Sequence, residues 1–142
     1  MKTKPTNQTE SRTYAQRAQD VKALIQSSLK HSTCIREQNM EYIQKDFNAW
    51  IANLAEETFT HGIKIKFYES ILKEFSKADE YHYELILQEH IATLERFTTR
   101  YWNVRTGSSN VIVSEQSTWE FITNMQLLEW TRDWVNQILD KQ

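Results

Sequence analysis

Four histidines, one cysteine and nineteen carboxylates are the side chains of this 142-residue chain with which metal, acid–base or nucleophilic chemistry would be done, and their spacing limits the choice. A di-iron carboxylate bundle takes two copies of Glu-x-x-His and two further inward glutamates. Glu-x-x-His does not occur here, and its nearest relative, Asp79-x-x-His82, reads as a helix cap. Glu57 and His61 stand four residues apart and share a helix face, yet two ligands do not make a metal site, so they read as helix-end electrostatics. His90 falls on an apolar stripe and reads as a core histidine with a hydrogen-bond partner. Cys34 has no sequence context of a nucleophile and reads as a small, semi-buried residue at a helix start. Glu56-Glu57 and Asp79-Glu80 read as solvated acidic surface. The two glycines, Gly62 and Gly107, are isolated, which excludes the phosphate loop, the dinucleotide fingerprint and the nucleophile elbow, all of which cluster glycines. The sequence therefore predicts no catalytic constellation, no cofactor and no enzyme.

The basic residues offer other chemistry. The net charge of −2 divides unevenly: residues 1–36 hold seven basic against two acidic groups, a net +5, and the remaining 106 residues a net −7. Such asymmetry speaks to partners rather than to fold. A lysine-rich solvated first helix accounts for it, and so does a helix facing a polyanion, whose phosphates release counterions to Lys and Arg while aromatic rings stack on bases. Five Trp and six Tyr are available, most of them on apolar stripes that core packing claims first; Tyr68, Tyr81 and Trp102 are the less clearly buried. A helix-turn-helix at Gly62 would need a small residue four positions earlier, where Thr58 stands.

The elements that must position these groups are helices. Two Gly and one Pro leave little turn chemistry for a sheet, and with 39% apolar and 25% charged residues the chain reads as one all-α domain: a flexible 1–8, then a single bundle of about five main helices over 9–142. The first, about 9–30, carries Tyr14, Ala18, Val21, Ile25 and Leu29 on one face, with Arg12, Arg17 and Lys22 turned towards water or a partner. His31-Ser32-Thr33 reads as a connection. A second helix, about 37–60, places Met40, Ile43, Phe47, Trp50, Leu54 and Thr58 inward and ends at a Gly62 corner. The third carries Ile63, Phe67, Ile71 and Phe75, and the fourth, capped by Asp79, carries Tyr83, Ile86, Leu87, His90, Leu94, Phe97 and Tyr101. A surface loop over 103–116 leads to a capping box at Ser117-Thr118-Trp119-Glu120. The closing helix, with Phe121, Met125, Leu128, Val135 and Leu139 on its stripe, is widened by Trp130 and Trp134. No apolar run approaches the roughly 20 residues of a membrane span. One cysteine and an opening without an apolar segment predict a cytoplasmic protein.

The Gly62 segment, Leu54-Ala55-Glu56-Glu57-Thr58-Phe59-Thr60-His61-Gly62-Ile63, resembles in spacing the Leu-Pro-x-x-Ile-x-x-Asn-Gly-Leu corner of the small helical subunit of the Cmr complex, the type III-B CRISPR-associated RNA-targeting effector. The closing Leu127-Leu128-Glu129-Trp130-Thr131-Arg132-Asp133-Trp134-Val135 is similar to that family's Leu-Leu-Gln-Trp-Leu-Lys-Arg-Phe-Ala, and a first helix with Arg12, Ala15, Arg17 and Ala18 suits the pattern. Ala55 stands in place of the proline, His61 of the asparagine and Asp133 of a basic residue. The resemblance implies a non-catalytic subunit of a ribonucleoprotein in antiviral defence. It would stack in several copies beside guide RNA, support the target RNA strand, and contact other effector subunits. The residues expected to meet phosphates are Arg12, Arg17, Lys22, Lys64, Lys66 and Arg132, led by the two arginines of the basic first helix. The alternative is a small helical protein–protein interaction module or regulator without a nucleic-acid role, using the acidic 37–142 region as its contact surface.

Overall fold

The computed structural model describes residues 12–45, 51–106 and 114–141, with the backbone alone at 51–53 and 103–106. Four α-helices and one 3₁₀ turn are present among them: α1 (Tyr14–Lys45), α2 (Ile51–Phe75), the turn Glu80–His82, α3 (Tyr83–Thr106) and α4 (Glu115–Leu139). The all-α class stands, and no strand occurs among the described residues. No helix there is long and apolar enough to cross a membrane.

Two expected corners, at 31–33 and at Gly62, lie inside helices, and the described residues form four helices in place of the five expected. His31-Ser32-Thr33 lies inside α1. Nothing in that tripeptide breaks a helix, and Ser32 is buried with its hydroxyl 3.1 Å from His61 Nδ1 on α2. Gly62 lies inside α2, and its φ is not positive. Glycine in a helix interior costs only about 1 kcal/mol relative to alanine. An added Cβ would sit 3.5 Å from the Nε of Arg36 on α1, an ordinary contact, so the packing here does not require glycine. Cys34 is consequently mid-helix and exposed, within 3.6 Å of Gln38 Nε2, and His61 is not at a helix end. Phe47 and Trp50, the flexible 1–8 and the Gly107–Val113 part of the expected loop lie outside the described residues.

The remaining boundaries shift by a turn. Residues 103–106 belong to α3 and residues 115–116 to α4. The cap of α4 is Ser114, whose hydroxyl accepts from the Ser117 amide at 3.1 Å, three residues before the expected one. Glu115 in the first turn then meets the positive end of the helix dipole. Asp79 caps as expected, accepting from the Tyr81 amide at 3.0 Å, but it starts the 3₁₀ turn that leads into α3.

The helices run up, down, up and down. Ser32 opposite His61 fixes α1 against α2, Glu74 opposite His90 fixes α2 against α3, and Glu95 opposite Arg132 fixes α3 against α4, each pair antiparallel. Phe59 with Trp119 and Phe67 with Trp134 join α2 to α4 in parallel across the bundle. The core lies where all four overlap: Ala18, Val21 and Ile25 from α1, Tyr68, Ile71 and Phe75 from α2, Tyr83, Leu87, Ile91 and Leu94 from α3, and Leu127, Leu128, Trp134, Val135 and Ile138 from α4. Burying each large side chain contributes about 1.5–3 kcal/mol. The buried stripe of α1 stops at Ser32, so residues 33–45 add nothing to that core.

Candidate functional site

Above Leu24 the spacing between α1 and α4 opens into a cleft of about 520 Å³ floored by α2. Its cause is local: α1 presents Ser27, Ser28 and Ser32 to the cleft where its lower half presents Val21 and Ile25 to the core. His61 and Lys64 rise from the floor, three residues apart and therefore side by side on α2. His31 stands on the α1 wall, and Trp130 and Trp134 form the α4 wall.

Lys64 Nζ sits 5.1 Å from the centroid of the Trp130 ring, a cation–π distance at which the indole quadrupole favours a cation. Burial holds the Lys64 pKa below its ordinary value, and Glu57 partly offsets this. Burial also lowers the His61 pKa, Lys64 and His31 lower it further, and Glu57 opposes them. None of the described residues that line this cleft is acidic. Beyond His61 and Lys64 a neighbouring cleft of about 360 Å³ between α2 and α4 does contain Glu56 and Glu57. His61 and Lys64 thus form a ridge between a carboxylate-free side and an acidic side, and an anionic group belongs on the first.

The Ser32–His61 pair has the spacing of a base-activated nucleophile, but its surroundings do not complete one. His61 Nε2 has no hydrogen-bond partner among the described residues, so no third group orients the ring. Both residues lie mid-helix, where backbone N–H groups are consumed by the helix and supply no oxyanion hole. The pair ties α1 to α2. His90 is half-buried, 3.1 Å from Glu74 Oε2 and edge-on to Phe67, a satisfied histidine as its stripe position predicts. Among the described residues no group of three or more His, Cys, Asp and Glu is placed to hold a metal ion.

The six basic residues expected to meet phosphates do not converge. Arg12 pairs with Asp20 at 2.6 Å on the surface. Arg17, expected to face outward, is half-buried and donates to the Ile138 carbonyl at 2.8 Å and to the Arg12 carbonyl. Lys22 is half-buried on α1. Lys64 is in the cleft, and Lys66 is exposed on the other side of α2, beside Arg36. Arg132 bonds Glu95 at 2.6 Å across α3 and α4. Only Arg12 and Arg17 come together. The groups that sequence reasoning did not join to Lys64 are His31, Ser32 and Trp130; the three-residue spacing of His61 and Lys64 was a legible signal, whereas the approach of α1 and α4 was not. Compared with protein-family models, curated proteins and solved structures, the chain matches none.

Proposed function

We propose that this chain is a non-catalytic bundle subunit that supports an RNA strand within an RNA-guided CRISPR-associated effector, stacked in several copies beside guide and target RNA. The observation that carries the reading is the carboxylate-free cleft in which His31, His61 and Lys64 stand beside Trp130. The Lys64 ammonium suits a phosphate, to which the imidazoles can donate, and the indole suits a base. Contacts of this kind hold and position a strand without reading its sequence, which base pairing with a guide does instead.

The likeness to the Cmr small subunit is a likeness of residue pattern. Its Gly62 segment lies within a continuous helix here, and its closing segment supplies Leu127, Leu128, Trp134 and Val135 to the core. Arg17 is occupied within the fold, so the strand-facing cations of this reading are Lys64 first, then Lys22, Lys66 and Arg12. A second reading, a protein-binding module, is favoured by Ile122 and Met125, exposed by 53% and 43% on one face of α4. Purification of the tagged chain from its host, with sequencing of the co-purified RNA, separates the two. Short guide RNAs with a multi-subunit assembly are the expected result; a single protein partner without RNA favours the second reading.

A further inference from the structure

On the side of α2 opposite Lys64, a third cleft of about 420 Å³ lies between α1, α2 and the start of α4. Among the described residues its charged lining is Arg36 and Lys66, with no carboxylate. Neither cation makes a hydrogen bond or ion pair among the described residues. Arg36 lies beside Gly62, its Nε 3.5 Å from where a Cβ on that residue would stand.

The floor contains an unusual hydroxyl. Thr60, Thr93, Thr98, Thr123 and Thr131 each donate to a backbone carbonyl three or four residues earlier, as helical threonines do. Thr58 Oγ1 is buried and has no partner. A buried polar atom left in this state calls for a group that the protein does not itself supply. Beside it Phe59 and Trp119 form a tilted aromatic pair with centroids 5.8 Å apart, and Gln116 adds a carboxamide that both donates and accepts.

Two unpaired cations, an orphan hydroxyl, a carboxamide and an aromatic wall match the parts of a nucleotide. We infer that this cleft takes one nucleotide unit of a single-stranded RNA, its phosphate on Arg36 and Lys66, its base against Trp119, and a ribose or base-edge group on Thr58 Oγ1. The inference rests on the RNA-supporting reading and adds a place where one nucleotide leaves the path of the strand. Binding here is distinct from the Lys64 cleft, because the two lie on opposite sides of one helix.

The test is binding of a 5′-phosphorylated oligoadenylate octamer, and of AMP alone, to the purified full chain, measured by calorimetry at low salt. Arg36→Ala and Lys66→Ala are each expected to weaken the octamer at least about fivefold with an unchanged melting temperature. Thr58→Val, which keeps the shape and removes the hydroxyl, should weaken the octamer while leaving the free chain as stable or more so. AMP competing with the octamer places a whole nucleotide in the cleft; competition by inorganic phosphate alone reduces the site to an anion site and overturns the inference. No octamer binding, or binding indifferent to Arg36, Lys66 and Thr58, also overturns it. A loss confined to Lys64→Ala removes this cleft and keeps the RNA-supporting reading. Octamer binding that depends on Arg36, in a chain that recovers no RNA from its host, keeps the cleft and removes the effector role.

Discussion

Arg17 and Ile138 are 121 residues apart in sequence, and the Arg17 guanidinium donates to the Ile138 carbonyl at 2.8 Å. The last carbonyls of a helix have no partner within it and carry the negative end of its dipole. Arg17 meets that need for α4, next to Asp140, which ends the helix in the left-handed conformation at φ 59°. The first turn of α1 is thereby fastened to the last turn of α4.

Arg17→Ala should therefore lower stability by about 1.5–3 kcal/mol, the range for a hydrogen bond to a charged group. Arg12→Ala removes an exposed ion pair with Asp20 and should cost only about 0.2–1 kcal/mol. Urea unfolding of the two variants, compared at a shared slope, checks the order. Equal and negligible losses would mean that Arg17 is a free surface cation.

Gly62→Ala should stabilise the chain by about 0.5–1 kcal/mol, because alanine loses less backbone entropy in a helix. Its methyl would meet only the Arg36 Nε, at 3.5 Å, an ordinary contact. A left-handed corner would give the opposite sign, since a Cβ is strained there. The shift of the urea midpoint decides between helix and corner.

The two meanings of glycine explain why the first half of the fold was misread from sequence while the second half was largely legible. The stripe of Tyr14, Ala18, Val21 and Ile25 is a local pattern, and the structure places it on the core. Phe67, Ile71, Phe75, Tyr83, Leu87 and Leu94 follow equally from local spacing. Glycine past a helix and glycine inside one look alike in one sequence, and Gly62 lies inside α2. The candidate site divides in the same way. His61 and Lys64 share a face by spacing alone, whereas Ser32 and Trp130 reach them only through the packing of α1 and α4. Ser114 and Ser117 are both competent caps, and three residues of helix depend on which is used.

His61 gives the chain a pH dependence of definite sign. Burial, Lys64 and His31 hold its folded pKa below the usual 6.5, so the unfolded chain binds the proton more tightly. The associated stability is fully present above about pH 6.5 and is lost as the pH falls through that value towards the depressed folded pKa. Thermal unfolding of the chain and of His61→Gln from pH 8 to pH 5 isolates the effect, because the other titrating groups are common to both. The native chain should lose more stability over that interval; parallel curves would mean that His61 titrates as it does in the unfolded state. An anion bound beside His61 and Lys64 favours their charged forms, so RNA binding should tighten as the pH falls.

The most direct measurement is ultraviolet crosslinking of RNA to this chain in the assembly isolated from its host, with the crosslinked peptides identified by mass spectrometry. Strand contact through the Lys64 cleft predicts crosslinks on the α2 peptide containing His61 and Lys64 and on the α4 peptide containing Trp130, both lost in Lys64→Glu without loss of the folded bundle. RNA crosslinked only to other subunits, with this chain present and unmarked, would contradict a strand-supporting role.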